Sequence, residues 1–183
     1  KTVLGDFDNA NFVYEGVTTS FYRKGDEYWV KTDNENGELQ DYRVAYVFGV
    51  YPLQQLLLPI QNGRLNALSI AWDARNTSEG GQRWYHIYEN QEPVTSESPL
   101  HWTGIYHNWN SRCAECHSTN VVKGYDGTRR QYTTTYDQIN VGCEACHGPG
   151  SRHVELANAG KIDRSQSSAE MGVAWPLAAR GRW

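Results

Sequence analysis

Every cysteine of this 183-residue chain lies in one of two short copies of the same pattern, CAECH at Cys113–His117 and CEACH at Cys143–His147. Two thiols separated by two residues serve three chemistries: thiol–disulfide exchange, tetrahedral zinc, and covalent attachment of haem c. A thioredoxin-like exchange site needs one such pair and has no use for a histidine directly after it. A four-thiolate zinc site has the right cysteine count, but 26 residues separate the pairs and zinc gives His117 and His147 no role. Haem c uses every residue of the pattern, because the thiols form thioethers to the porphyrin vinyl groups and the adjacent histidine ligates the iron. The sequence therefore predicts two covalently attached haems c, held by Cys113, Cys116, Cys143 and Cys146, with His117 and His147 as iron ligands.

Composition points the same way. Seven Trp and 12 Tyr accompany four Phe and one Met, and the mean hydropathy is −0.70, so aliphatic side chains alone will not fill a large interior. Two porphyrins would replace the missing core, with Trp and Tyr packed on their faces and edges. A module built this way is expected to be largely disordered without haem, while a β-rich part keeps its structure. The net charge of −4, from 17 basic and 21 acidic residues, gives no basic field and argues against nucleic acid as a partner. No apolar run is long enough to span a membrane; the greasiest, Leu53–Ile60, contains Gln54, Gln55 and Pro59. The chain starts at Lys1 with no leader pattern and stops at PLAARGRW without a terminating signal, which suggests a fragment or a processed form. Haem attachment outside the bacterial cytoplasm would place it in the periplasm or another extracytoplasmic compartment.

From Asn11 to Val50, aromatic and β-branched residues alternate with polar ones, broken at Lys24-Gly25-Asp26 and across residues 33–37; this predicts a meander of about three strands. Further short strands are expected at residues 65–72 and 83–88, a connecting loop from Glu89 to Pro99, and short helices at residues 52–58 and 151–159. The expected class is α+β: a β-rich N-terminal half packed on an irregular dihaem module of loops and short helices. The expected domains are residues 1–99, 100–160 and a C-terminal extension, 161–183.

Four histidines remain once His117 and His147 are assigned. His153 follows the second motif in HGPGSRH, six residues past His147, and is expected to reach a neighbouring haem more easily than the far face of its own. His101 in PLHWTG and His86 in RWYHIY are further candidate iron ligands, although His86 on a strand also fits a packed core histidine. His107 is too close to Cys113 to loop to the far side of that haem, and the lone Met171 fits packing better than ligation. Arg75 and Arg152 fit either haem propionates or surface decoration, whereas Arg129 and Arg130 read as surface. Glu115 and Glu144 read as solvent-facing spacers. Gly80-Gly81 is a turn with no helix after it to make a phosphate loop. No nucleophile–base arrangement is legible.

The run GCEACHGPGSRHVE resembles the multihaem c-type cytochromes that include cytochrome c554-like proteins. Together, YVFGVYPLQQ, SIAWDAR, GGQRWYHIY, LHWTGIYHNWN and CAECHSTN are closer to bacterial multihaem cytochromes that often carry tetratricopeptide repeats further along. The resemblance spans roughly residues 3–155. It implies that His153 ligates a different haem and favours His86 and His101 as ligands. Related proteins usually carry a further CxxCH upstream and often others downstream, so a neighbouring haem-bearing chain sharing axial ligands is a candidate partner beside ordinary redox proteins. Electron transfer is the function expected first. An oxidoreductase with one open iron acting on a small nitrogen or sulfur compound is the alternative from another class, and a structural protomer of a haem-bearing complex or filament is the third.

Overall fold

The structure is a computed structural model and describes residues 3–163, 165–167 and 169–172. It divides into two compact units: unit 1 contains residues 1–112 and 125–133, and unit 2 contains residues 113–124 and 134–183. The expected extension at 161–183 lies partly outside the described residues, and the PLAARGRW end lies wholly outside them.

Unit 1 is built from antiparallel strands, as its alternating sequence predicts. Strands β1 (Ala10–Tyr14), β2 (Val17–Lys24), β3 (Glu27–Asp33) and β4 (Leu39–Arg43) form a meander in chain order. The alternation alone predicts β1 and β2 as one strand. The break falls at Glu15-Gly16, both with positive φ (45° and 79°), a two-residue connection that matches the twist of the strands it joins. Between β2 and β3 the turn lies at Gly25-Asp26, where the break was expected.

A second sheet contains β5 (Tyr46–Phe48), β6 (Leu53–Pro59), β8 (Ile70–Asp73) and β9 (Arg83–His86) in that order, with β7 (Leu65–Ala67) also paired to β6. The helix expected at residues 52–58 is β6 instead. Its three consecutive leucines, Leu56, Leu57 and Leu58, are all buried, because β6 pairs with β5 on one side and with β7 and β8 on the other. A strand buried on both faces reads as a continuous apolar run, and a short run of that kind is indistinguishable by periodicity from a helix.

The two sheets bury one core between them. Phe21 of β2 is fully buried and stacks on Trp84 of β9, with ring centroids 3.7 Å apart and planes 5° from parallel; Phe7 meets both rings edge-on. Offset and edge-to-face aromatic packing of this kind adds to the area term. Replacing Phe21 with Ala should cost about 3–5 kcal/mol of unit 1 stability. Urea unfolding followed by tryptophan fluorescence measures it, and a loss below about 1 kcal/mol would show that this ring is not part of a tightly packed core.

Within unit 1, the segment leading to the first CxxCH motif is fastened to the sheet by side-chain hydrogen bonds and one antiparallel bridge, Asn66–Asn108. The Asn66 amide donates to the Trp102 and Gly104 carbonyls (2.8 and 2.9 Å), Trp102 Nε1 donates to the Asp33 carbonyl (2.9 Å), and Asn110 Oδ1 accepts from the Leu65 N–H (2.7 Å). Strands β10 (Tyr125–Asp126) and β11 (Gln131–Tyr132) form a hairpin that also belongs to unit 1. It lies so close at Gly63 (φ 69°) that any Cβ there would run into the Tyr132 carbonyl.

The described residues of unit 2 form very little hydrophobic interior. Among its described residues the only fully buried apolar side chain is that of Ala114, beside buried Ser118 and Thr119. Its regular elements are α2 (Ala114–His117), α3 (Cys143–His147) and α4 (Ser151–Asn158), preceded in the chain by α1 (Trp109–Arg112) of unit 1. Helix α4 lies where the sequence placed a helix, and the chain leaves it at Gly160 with φ 64°.

Candidate haem site

Each CxxCH motif ends as a single helical turn. In the first, the Cys113 carbonyl accepts from the Cys116 and His117 N–H groups (3.1 and 3.0 Å). In the second, α3 spans Cys143–His147 and Gly148 closes it with φ 73°, its N–H donating to the Glu144 carbonyl (3.0 Å). One helical turn brings residues three apart to the same side. The two thiols and the following histidine of each motif are therefore held within one turn. None of the four cysteines is held in a disulfide, and Cys116 and Cys143 are exposed.

The two motifs are also tied to each other inside unit 2. Ser118, directly after the first motif, donates through Oγ to the Ile139 carbonyl (3.0 Å). Thr119 Oγ1 donates to the Asn140 carbonyl (2.9 Å) and accepts from the Gly142 N–H (2.8 Å), one residue before Cys143. Backbone bridges Thr119–Gln138 and Val122–Thr135 continue the pairing. No motif in the sequence gives Ser118 and Thr119 a role. Their signal was only their position, and their burial at 2% exposure is what identifies them as the clasp.

Cys143, Glu144, His147, Gly148, Pro149, Gly150 and His153 wall an apolar cavity of about 260 Å³. Two features of its wall suit a bound iron porphyrin. His147 Nδ1 is buried without a hydrogen-bond partner among the described residues, an open demand that a folded chain rarely leaves. His153 Nδ1 lies 2.7 Å from the Met171 carbonyl, which can only accept, so Nδ1 carries the proton and Nε2 keeps its lone pair. A carbonyl that accepts from the other ring nitrogen and so fixes the tautomer is how ligating histidines are oriented. The residues present fit haem c at the second motif. Met171 contributes this carbonyl to the site, a role the sequence did not suggest. Glu144 is not the solvent-facing spacer expected: its Oε1 accepts from the Gly150 N–H (2.6 Å) and shapes the GPG turn that carries the chain towards His153. Glu115 is exposed, as expected.

The remaining histidines lie in unit 1. His101 is buried with both nitrogens engaged, Nε2 to Asp33 Oδ2 at 3.1 Å and Nδ1 to Thr103 Oγ1 at 2.8 Å. Buried His86 stacks on Tyr14 (3.7 Å, 9°) and accepts at Nδ1 from the Tyr88 N–H (3.3 Å). Burial, with His107 nearby, pushes its pKa down to about 4, so the ring is neutral at ordinary pH. His107 donates from Nδ1 to the Ala67 carbonyl (2.9 Å) and accepts at Nε2 from the Tyr88 hydroxyl (3.3 Å); burial lowers its pKa too. Arg75 forks onto buried Asp73 with contacts of 2.6–3.2 Å, and that guanidinium holds the Asp73 carboxyl below its ordinary range. Arg152 pairs with Glu155 (3.1 Å) on the surface of α4.

The sequence profile of the family described as Cytochrome c554 and c-prime matches residues 72–148. The matched span takes in His86, His101 and both CxxCH motifs, and ends before His153. It supports a c-type cytochrome, with covalently bound haem c and electron transfer as the general function. Neither the curated proteins nor the solved structures gave a match. Among the described residues no helix is long and apolar enough to cross a membrane.

Proposed function

We propose that this chain is a dihaem electron-transfer cytochrome of an extracytoplasmic compartment, passing electrons between redox partner proteins alone or as the electron-transfer part of a larger multihaem assembly. The observation that carries the reading is unit 2 itself. It has two CxxCH turns clasped together by Ser118 and Thr119, and among its described residues almost no apolar core. Such a unit is understandable as a shell for large apolar cofactors. Bound haem c supplies reversible one-electron chemistry at iron, tuned by axial ligand, burial and hydrogen bonding.

In this reading Cys113, Cys116, Cys143 and Cys146 anchor the two groups, His117 and His147 ligate the irons, and His153 offers its Nε2 to a second iron position, oriented by the Met171 carbonyl. His86 and His101 enter differently. For His101 to ligate iron it would have to give up one of its two hydrogen bonds, and we assign both residues to unit 1.

Absorption spectra test the assignment. The protein is recorded oxidised, dithionite-reduced, and reduced under carbon monoxide. Sharp reduced bands indifferent to carbon monoxide are expected, with the fourth axial ligand of the two irons supplied by a neighbouring haem-bearing chain, because six-coordinate irons have no vacant position. A carbon monoxide shift would instead favour the enzyme with an open iron. Replacing His153 with Ala should convert about half of the haem signal to a high-spin, carbon-monoxide-binding form, whereas His86→Ala and His101→Ala should leave the bands in place. An unchanged low-spin spectrum in His153→Ala would remove His153 from the ligand set, and a high-spin signal in either of the other variants would return that histidine to it.

A further inference from the structure

Unit 1 contains a cavity of about 170 Å³ that the haem chemistry does not use, walled in part by Tyr14, Thr19, Thr32, Asp33, His86 and His101. At about 30 Å³ for each water-sized group, it has room for five or six non-hydrogen atoms. Its polar wall is deep: Thr19 and Thr32 are 1% exposed, His86 3%, His101 5% and Asp33 8%. A buried carboxyl group is costly unless it is partnered. Asp33 has one protein donor on each oxygen, Thr32 Oγ1 to Oδ1 (3.2 Å) and His101 Nε2 to Oδ2 (3.1 Å). A carboxylate offers about four lone-pair sites, so about two remain for a donor from outside the chain.

The charge of the wall selects the donor. No Lys or Arg lines the cavity, while the acidic residues Asp33 and Glu15 both do, Asp33 deep and Glu15 exposed at the rim. Anions are therefore disfavoured. A metal ion is disfavoured as well, because among the described residues no three His, Cys, Asp or Glu side chains are placed to hold one. What remains is a cation that brings its own N–H donors. The other side chain with spare capacity is His86. Its Nδ1 accepts from the Tyr88 N–H, which leaves the proton on Nε2 as a donor. A group that donates to Asp33 and also accepts from His86 carries an ammonium and an oxygen.

We propose that this cavity is a binding site for a small ammonium compound of amino-alcohol type, its ammonium on Asp33 and its hydroxyl oxygen on His86 Nε2–H. Trp102 and Tyr14, also in the wall, give aromatic surface suited to the cation. Charged hydrogen bonds of this kind are roughly twice as strong as neutral ones, whereas a ligand this small has few atoms with which to offset lost freedom. A Kd on the order of 1 mM is the expected range.

Isothermal titration calorimetry on the haem-loaded chain near neutral pH tests this with 2-aminoethanol, ethylamine and 1-propanol. Saturable binding of 2-aminoethanol is expected, weaker by several-fold for ethylamine, and none for 1-propanol. Asp33→Asn should weaken 2-aminoethanol binding at least tenfold. Should that variant fail to fold, His86→Phe removes the second contact and should bring 2-aminoethanol down to the affinity of ethylamine, and Glu15→Gln at the rim should weaken binding about twofold. Binding of 1-propanol as tight as that of 2-aminoethanol, no saturation by ~100 mM, or full affinity retained in the substituted proteins would overturn the proposal. So would a change of iron spin state on adding 2-aminoethanol, since the histidines would then belong to iron.

Discussion

When the chain is produced without haem attachment, by replacing all four cysteines with Ser or by expression without the attachment machinery, unit 2 should lose its structure while unit 1 keeps its sheets. The physical reason is the uneven distribution of buried apolar surface. The cluster of Phe7, Phe21, Leu56, Leu58, Leu68, Trp72, Trp84 and Trp102 belongs entirely to unit 1, and each such side chain contributes roughly 1.5–3 kcal/mol of burial. Against the roughly 1–2 kcal/mol per residue that ordering the backbone costs, the described residues of unit 2 offer Ala114, a clasp of side-chain hydrogen bonds and three short helices of four, five and eight residues. Isolated helices of those lengths do not hold in water. Hydrogen exchange followed by mass spectrometry should show residues 134–160 exchanging at unfolded-chain rates in the haem-free protein, with β2, β3 and β6 still protected. Protection of residues 134–160 equal to that in the loaded protein would mean that unit 2 folds from its own contacts, and the cofactor-as-core argument would fail.

Acid should destabilise unit 1 through His86. Its folded pKa of about 4 lies below the ordinary 6.5, so between those values the unfolded chain takes up a proton that the folded protein refuses. Stability conferred by the neutral ring is therefore complete above pH 6.5, falls as the pH drops, and is exhausted near pH 4. The difference amounts to roughly 3 kcal/mol at 1.36 kcal/mol per pH unit. The groups acting on this ring are His107 and His101, which oppose its protonation, and Glu89 and Asp33, which favour it; desolvation outweighs them all. Tyr14 on β1 and Tyr88 after β9 complete its surroundings. Urea titrations at pH 7, 5.5 and 4 should show the loss, and His86→Phe should flatten most of it while keeping an aromatic ring against Tyr14. An identical pH slope in His86→Phe would place the acid sensitivity elsewhere, with His107, also lowered by burial, the next group to replace.

The sheets of unit 1 were legible because alternation and turn residues are local signals: Gly25-Asp26 punctuates the chain where the structure turns. Glu15-Gly16 is the same kind of signal, overlooked because the apolar-polar alternation runs through it without a change of phase. The strand β6 was not legible. Leu56-Leu57-Leu58 before Pro59 has no period, and only the pairing of β5, β7 and β8 along its two edges makes it a strand.

The same division holds for the candidate site. The sequence by itself carried the proposed anchoring chemistry, because the residues that thioether attachment and iron ligation would use are contiguous, Cys113–His117 and Cys143–His147, and need only one helical turn to converge. It also marked His153, through the two glycines that let the chain fold back. Only the tertiary structure decided what binds those local pieces together: Ser118 and Thr119 reaching across some twenty residues to Ile139, Asn140 and Gly142, the Met171 carbonyl setting the His153 tautomer, and Asp33 meeting His101 across 68 residues of chain. Hydrogen bonds between residues far apart in sequence leave no period and no spacing to read, so their partners become known only once the chain has folded.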